Sequence, residues 1–445
     1  MKNAFLGRLS SILCVALCTT LPAQETRIYI ALDDHTDYMW NADEATTRQA
    51  FLDMLDYYLD LADSTSTKPP QFQSRFVCDG SFWLWVYERN RSAVEFQRLM
   101  SRMRSGHISA PMTALVSCYG GVPAEAVLRG MYFAGKLERR EGVQFLMAFA
   151  QENQTIPFGL ASLWAGSGAK YSWRGVCNCA TKVTDPWDRE DEIYYMVGPD
   201  GSKVLMKWNS LLNGIFSMGT YAEARDPTAT VNYVTSDAEF KARYPFSVIG
   251  CFGKGWDDIR VTTPQFVQVA QNLTTETRKV IVSNELDFFQ DFESTFGSRV
   301  PSIAQSFGNE WDLYCASLAE VSATVKRSVE KLRAAEALAV LVSRWKEGFL
   351  ASRETEKDEA FVNLGLYWEH DWGATNPVIS KSARAAWQRR IANGIVTYAD
   401  SLFDDGVQAL GSLIPAGGGT SRFFVFNPLG WKRTDFADFP WGQAG

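Results

Sequence analysis

Histidine is scarce in this chain of 445 residues, which has only His35, His107 and His370. Long apolar runs are absent too, since no segment after the first two dozen residues reaches the roughly 18 uninterrupted apolar residues of a membrane-spanning helix. The formal net charge is -7 and charges of the two signs are interspersed. That pattern provides neither a nucleic-acid groove nor a polybasic membrane patch. These absences predict a globular protein with no nucleic-acid partner and no membrane span.

Cysteine is also sparse, with eight in the whole chain. Cys14 and Cys18 fall in the first two dozen residues, and the others are scattered too widely for a disulfide framework. Cys177 and Cys179 raise the question of a metal site, but their spacing is too short for a zinc knuckle and no second pair exists. The sequence favours a buried free thiol or one local disulfide.

The first 24 residues, "MKNAFLGRLSSILCVALCTTLPAQ", have the layout of a secretory signal peptide. Lys2 and Arg8 precede a short apolar run, and the segment ends in Leu21-Pro22-Ala23 before Gln24. We therefore exclude residues 1–24 from the fold. The sequence predicts an exported protein, periplasmic or extracellular.

Strand and helix patterns alternate after this segment. "TRIYIALDDH" predicts a buried strand, "EATTRQAFLDMLDYYLDLADS" a helix, "RFVCDGSFWLW" a strand and "SAVEFQRLMSRMRSG" a helix ending at Gly106. Such alternation is typical of parallel strands with crossover helices, either a barrel or an open sheet. In both, functional residues gather at the carboxyl ends of the strands.

The pattern changes near residue 300, where two long amphipathic helices are predicted at about 303–348 and 382–414. The sequence thus predicts an α/β protein in three parts. Residues 25–300 form an irregular, barrel-like β/α catalytic domain with a parallel sheet, and residues 301–415 form a helical bundle. Residues 416–445, with "SRFFVFNPLGWKR", begin a β-rich region that the chain carries only in part.

Three short stretches carry candidate chemistry. His35 and Asp37 follow the first predicted strand, where an imidazole and a carboxylate from one turn can ligate zinc. The alternative is a local hydrogen bond for His35 and a helix cap for Asp37. His370 and Asp371 lie in the break between the two long helices. Asp258, the second residue of an Asp-Asp pair after a glycine-rich bend, is either functional or part of a solvated turn.

Together these stretches resemble glycoside hydrolase family 38, the retaining α-mannosidases. "HTDYMW" resembles the family's His-x-Asp-x-x-Trp opening, "EHDW" its His-His-Asp motif and "GWDDIR" its Gly-Asp-Asp-aromatic-Arg segment. "GPDGSKVL" and "FNPLGWKR" are similar to further family segments. Order and spacing agree over essentially the whole chain after residue 24. The chain is identified as a divergent, bacterial-type member with an altered nucleophile motif.

The resemblance implies a secreted, zinc-dependent glycoside hydrolase that acts on an α-mannoside or a related glycan. It places Zn²⁺ on His35, Asp37 and His370. Asp371 would bind sugar hydroxyls and Trp40 would form part of the sugar platform. Asp258 would be the acid/base. Zinc can hold two vicinal hydroxyls of a mannose ring in a distorted conformer near the oxocarbenium-like transition state.

One segment departs from the family. Its nucleophile and fourth zinc ligand is the Asp of an Asp-Pro-Phe-Gly motif, and here the matching position is Ile156 in "QENQTIPFGLAS". Glu152, four residues earlier, is our first candidate for the missing carboxylate. Asp79, which ends another predicted strand, is the second.

The departure leaves two alternatives to a retaining hydrolase. One is an enzyme of the same fold with inverting or lyase chemistry, in which Glu152 or Asp258 is the base. The other is a carbohydrate-binding protein without activity. The retained metal ligands and acid/base favour an enzyme with a carbohydrate substrate.

Overall fold

A computed structural model describes residues 25–152, 155–175, 192–208, 221–255, 259–308, 315–371, 378–415, 418 and 425–436. The strands in these ranges are β1 (Thr26–Ala31), β2 (Phe76–Val77), β3 (Ile108–Ser109), β4 (Tyr171–Arg174), β5 (Ile193–Val197), β6 (Lys203–Trp208), β7 (Val248–Phe252), β8 (Arg278–Ser283) and β9 (Ser302–Ile303).

The first sheet is wholly parallel and has the order β7-β1-β8. Tyr29 at the centre of β1 lies opposite Gly250 on one side and Ile281 on the other. Because parallel neighbours need crossover connections, helices separate these strands along the chain. The predicted parallel sheet is confirmed, and β1 is its central strand.

Two further groups of strands extend this arrangement. β2 and β3 pair in parallel, and a parallel bridge from Asp33 to Val77 joins β2 to the end of β1. A second sheet has the order β4-β6-β5-β9, in which only the β5–β6 pair is antiparallel. A parallel bridge from Met147 to Tyr171 brings residues 145–152 alongside β4. The described strands are thus mainly parallel.

The α-helices are α1 (Glu44–Thr65), α2 (Ser81–Asn90), α3 (Ala93–Arg104), α4 (Ala124–Gly130), α5 (Tyr132–Glu141), α6 (Leu160–Gly166), α7 (Pro227–Ser236), α8 (Ala238–Arg243), α9 (Gln265–Leu273), α10 (Leu286–Phe296), α11 (Ala319–Val342), α12 (Glu354–Tyr367) and α13 (Lys381–Gly411). α1 buries the face predicted from its helical periodicity, which comprises Phe51, Leu55, Tyr58, Leu59 and Ala62. α3 begins with a capping box formed by Ser92 and Glu95.

The predicted strand "RFVCDGSFWLW" is wrong for most of its length. Only Phe76–Val77 is a strand, and α2 begins at Ser81. The seven residues from Ser81 to Tyr87 are all buried. A helix buried on every side has no helical period in its sequence, so an apolar run of this length cannot be distinguished from a buried strand.

The helical region contains one helix more than the sequence predicted. α11 and α13 confirm two long helices, which pack along each other, but the predicted start near residue 303 is wrong, because β9 lies there and α11 begins at Ala319. α12 lies between them in the chain and contacts both α13 and α4. Gly365 allows this close packing, because a Cβ there would lie 3.3 Å from Gly130 Cα and 2.5 Å from Ala114 Cβ. α12 escaped detection because its second half is buried almost all round.

Several predictions fall partly or wholly outside the described residues. Residues 1–24, Cys177 and Cys179 are among these, as is 421–424 of the predicted terminal strand. Residues 425–436 are described and contain neither helix nor strand. Of the described cysteines, Cys78 is a buried free thiol and Cys315 a half-buried one. No helix within the described ranges is long and apolar enough to cross a bilayer.

Candidate metal centre and active site

The chain leaving β1 is held on both sides before it reaches the candidate ligands. Asp33 bridges to Val77, and Asp34 bridges to Gly255 on the opposite flank. A Cβ at position 255 would lie 1.6 Å from Asp34 Oδ1, so only glycine permits this approach. His35 follows immediately and is fully buried. The first sheet therefore fixes His35 at the carboxyl end of its central strand.

The turn after His35 is anchored by side chains from the neighbouring segment. Asp79 Oδ2 accepts a hydrogen bond from Thr36 N at 2.8 Å, and Trp83 Nε1 donates to Thr36 Oγ1 at 3.1 Å. The Gln151 amide lies 2.7 Å from His35 Nδ1. With Nδ1 engaged in this way, the His35 ring presents Nε2 to the carboxylates beyond it.

Asp37 does not cap the next helix. The N-cap of α1 is Asp43, whose Oδ1 accepts from Thr46 N at 2.8 Å. Asp37 Oδ1 instead lies 2.9 Å from Nε2 of His370, 333 positions further along the chain. The capping alternative for Asp37 is thus excluded, and its carboxylate faces the second histidine.

His370 reaches the site from the end of α12. Its backbone N donates to Val116 O at 3.0 Å, and an antiparallel bridge joins Glu369 to Ser117. The segment after α12 is therefore paired with the chain around residues 116–117. This pairing fixes His370 beside the end of β1.

Glu152 enters the site from an unusual backbone conformation. Its φ is 59°, in the left-handed region, and its N donates to Gly175 O at 2.6 Å. A non-glycine residue there costs about 1–3 kcal/mol, and such conformations cluster at functional sites. The side chain is buried, with Oε1 3.8 Å from His35 Nε2 and Oε2 3.5 Å from His370 Nε2.

Four side chains thus converge from three distant segments. His35, Asp37, Glu152 and His370 each offer a ligand atom, and these atoms all lie within 4.8 Å of one another. Zinc bonds of 2.0–2.2 Å in tetrahedral geometry separate neighbouring ligand atoms by about 3.4 Å. The separations between imidazole Nε2 and carboxylate oxygen atoms are 2.9, 3.5, 3.6 and 3.8 Å. Two imidazoles and two carboxylates at these separations could hold a metal ion in a site of tetrahedral scale.

The electrostatic setting of His370 is strongly acidic. Burial would lower its pKa, but the carboxylates of Glu369 and Asp371 and the hydrogen bond to Asp37 raise the pKa well above its usual value. Burial would raise the pKa of Glu369, but the charges of His370 and Arg384 lower it. Since carboxylates outnumber cationic groups in this buried space, the site favours positive charge, as a proton or as a metal ion.

The remaining predicted site residues are Asp371, Trp40 and Asp258. Asp371 is buried directly beside His370, and Trp40 is half-buried with its N donating to Asp37 O at 3.0 Å. Asp258 lies outside the described residues. Its described neighbour Ile259 lines a small cavity with Asp37. Asp371 therefore lies among the acidic groups at His370, and the backbone of Trp40 belongs to the turn that carries Asp37.

Ile156 and Asp79 do not reach the ligand cluster. Ile156 is fully buried, and its backbone exchanges two hydrogen bonds with Phe307, at 2.7 and 3.0 Å. Asp79 is equally buried and approaches His35 from the Nδ1 side, at 3.6 Å. Of the two candidates for the missing carboxylate, Glu152 lies among the ligands and Asp79 lies behind them.

Two solved structures share this architecture. An α-mannosidase from Enterococcus faecalis V583 aligns with a TM-score of 0.65 and 14% identity, over 87% of this chain and 43% of that one. A protein of glycosyl hydrolase family 38 from the same species aligns with a TM-score of 0.59 and 15% identity, over 87% and 40%. The chain shares its fold with these proteins. The resemblance to family 38 is thus confirmed at the level of the fold. No family model and no curated protein sequence matches the chain.

Residues that sequence reasoning missed lie around the ligands. Gln151 contacts His35, and Glu369 and Arg384 form a buried pair behind His370. Glu369 precedes His370 and Gln151 precedes Glu152, and this adjacency was the only sequence signal that could have indicated their role. Arg384 lies in the first turn of α13 and has no local signature.

A pair of acidic residues outside the ligand cluster lies just after the carboxyl ends of β1 and β8. Asp33 and Glu285 are both buried. Burial raises the pKa of Asp33 to about 7. Burial and the neighbouring charge of Asp33 raise the pKa of Glu285 well above its usual value. Two buried carboxyl groups that interact cannot both ionise at low cost, so the pair favours a state in which Glu285 keeps its proton.

We expect the free energy of unfolding of metal-free Glu285→Gln, compared with that of the wild type, to be higher at pH 8 than at pH 5. Because the folded-state pKa of Glu285 is raised, the unfolded state ionises first as pH rises above about 4.5, and the wild type loses stability. Each pH unit in this window costs about 1.4 kcal/mol per group. Gln keeps the donor and cannot ionise. Thermal unfolding at several pH values measures the difference, with exposed Glu276→Gln as control. A difference that is constant with pH would contradict the protonated pair.

Proposed function

We propose that this chain carries the catalytic site of a metal-dependent glycoside hydrolase that acts on an α-mannoside or a related glycan. The observation that carries the proposal is the convergence of His35, Asp37, Glu152 and His370 within 4.8 Å. It occurs on a fold shared with an α-mannosidase. The proposed location is outside the cytoplasm, because residues 1–24 have the layout of a signal peptide.

The donor set favours zinc as the metal. Two imidazoles and two carboxylates suit a borderline-soft divalent ion, and the spacing of their ligand atoms is tetrahedral in scale. When bound, zinc would hold vicinal sugar hydroxyls and favour a distorted ring. His35 and His370 would bind it through Nε2, Asp37 and Glu152 through carboxylate oxygens.

Glu152 is the proposed nucleophile. Its carboxylate lies among the ligands, where the resembling family has its nucleophilic Asp, although it arises four residues earlier in the chain. In the first step Glu152 would attack the anomeric carbon while Asp258 gives its proton to the departing glycosidic oxygen. In the second, Asp258 would take a proton from water as that water displaces Glu152. Each step inverts the anomeric carbon, so the two steps together retain its configuration.

Asp371 and Trp40 are the proposed substrate-binding residues. The Asp371 carboxylate is adjacent to His370 and can accept hydrogen bonds from sugar hydroxyls. Trp40 belongs to the same turn as Asp37, and its ring offers an apolar face for a sugar. In this proposal both side chains would contact a sugar ring held at the centre.

The test is hydrolysis of p-nitrophenyl α-mannoside by purified protein, before and after chelator treatment. We expect activity that falls to background with chelator and returns with zinc. NMR of the first-formed sugar should show the α-anomer, and p-nitrophenyl β-mannoside is the matched control. The β-anomer would support inverting chemistry instead. Sugar binding without turnover in the zinc-loaded protein would support a binding protein.

A further inference from the structure

The structure points to a positioning role for Glu369. We propose that Glu369, clamped by Arg384, fixes the orientation and tautomer of His370 for metal binding. The inference rests on the proposed metal centre and extends it to residues that lie outside the ligand set.

Each oxygen of the Glu369 carboxylate has its own partner. Oε1 lies 2.9 Å from His370 Nδ1, and Oε2 accepts a hydrogen bond from Arg384 Nη2 at 2.8 Å. Tyr38 N also donates to Oε1, at 3.4 Å. The Glu369 and Arg384 side chains are 0% and 1% exposed. At this burial the contacts are screened little by water, and removal of either partner leaves an uncompensated charge.

Arg384 connects this pair to the other side of the site. Its Nη1 donates to the carbonyl oxygen of Tyr38, the residue after the candidate ligand Asp37. Arg384 itself lies in the first turn of α13, so one guanidinium spans the helical region and the turn after β1. The Glu369–Arg384 pair therefore holds His370 and the backbone of Asp37 in register, although 333 positions separate them.

The ring direction assigns Glu369 a supporting role and not that of a ligand. His370 Nε2 faces Asp37 Oδ1 at 2.9 Å and Glu152 Oε2 at 3.5 Å, whereas Nδ1 faces Glu369. Although Glu369, His370 and Asp371 could also be grouped as donors, Arg384 already engages Glu369 Oε2. A carboxylate on Nδ1 keeps the proton there, leaves the Nε2 lone pair for the metal and raises its basicity.

The test is zinc affinity, measured by competition with a chromogenic chelator. We expect Glu369→Gln to weaken zinc binding by about 10- to 100-fold, because the neutral amide removes the charge that holds His370 and Arg384. Arg384→Lys keeps the positive charge with fewer donors, so it should also weaken zinc binding, by a smaller factor. It serves as the second variant if Glu369→Gln does not fold.

Asp358→Asn is the matched control. Asp358 lies on α12, the helix that leads to Glu369, and pairs with Lys136. Its loss should lower the melting temperature of the metal-free protein and leave zinc affinity unchanged.

Folded Glu369 and Arg384 variants with wild-type affinity would overturn the inference. A wild-type protein that binds no zinc would instead overturn the proposed metal centre. In protein loaded with Co²⁺ in place of Zn²⁺, the visible absorption spectrum of the Glu369→Gln variant should shift from that of the wild type if His370 is reoriented.

Discussion

Glu152→Gln should lower kcat by about 10⁴-fold or more, the size of loss that follows removal of a catalytic nucleophile. The amide is nearly isosteric with the carboxylate but cannot form the covalent glycosyl intermediate. It also removes one negative charge from the ligand cluster, so zinc binding should weaken in the same variant. Turnover is therefore compared at saturating zinc, where the loss of nucleophile is separated from the loss of metal.

Two further variants distinguish a nucleophile from a residue that only binds metal. Glu152→Ala should regain turnover when azide or formate is supplied, because a small external anion can occupy the vacated space and attack the anomeric carbon. Asp79→Asn should retain most of kcat, since Asp79 lies on the Nδ1 side of His35 and supplies no atom to the ligand cluster. The reverse result, with Asp79→Asn inactive and Glu152→Gln active, would assign the nucleophile to Asp79.

The local backbone at Glu152 explains how a carboxylate at position 152 can serve the site although position 156 holds Ile. With φ at 59°, the chain turns sharply at this residue, and its N is held by Gly175 O. Arg174 Nη1 donates to Ala150 O at 2.9 Å, which fixes the segment before Glu152. Ile156 meanwhile belongs to the hydrophobic core. A carboxylate four residues upstream can thus reach the cluster because this turn redirects its side chain.

The sequence predicted the parts of the site that have local signatures. His35 and Asp37 were recognisable because they follow a strand with a clear buried face, and β1 confirms that strand. His370 was recognisable as one of only three histidines, in a break between helical patterns. The structure brings these residues together, at contacts of 2.9 to 3.6 Å.

Residues that act through tertiary packing were beyond sequence reasoning. Arg384 looks like any surface residue of an amphipathic helix, yet it is 1% exposed and joins two ligand-bearing segments. The long-range contact between Glu369 and Arg384 has no spacing rule that could reveal it. α2 and α12 were missed for a related reason, because a helix buried on all sides loses the 3.6-residue period that identifies it.

Removal of either candidate histidine ligand should abolish metal binding. We expect about one zinc per chain in the wild-type protein and none in His35→Ala or His370→Ala after dialysis. Each substitution removes one of four donors and leaves buried carboxylates facing one another, so hydrolysis should fall to background as well. Elemental analysis of the purified proteins measures the metal directly, independently of any substrate.

His107→Ala is the matched control, because His107 is the third and last histidine of the chain. Its Nδ1 lies 2.8 Å from Ser105 Oγ and its Nε2 lies 2.9 Å from Gln73 Oε1, which accounts for both ring nitrogens. Its loss should leave the zinc content at the wild-type level. If His107→Ala lost zinc and the other two variants retained it, the metal would lie elsewhere. The pattern that we expect, two variants without metal and one with it, would show that His35 and His370, 335 positions apart, form one centre.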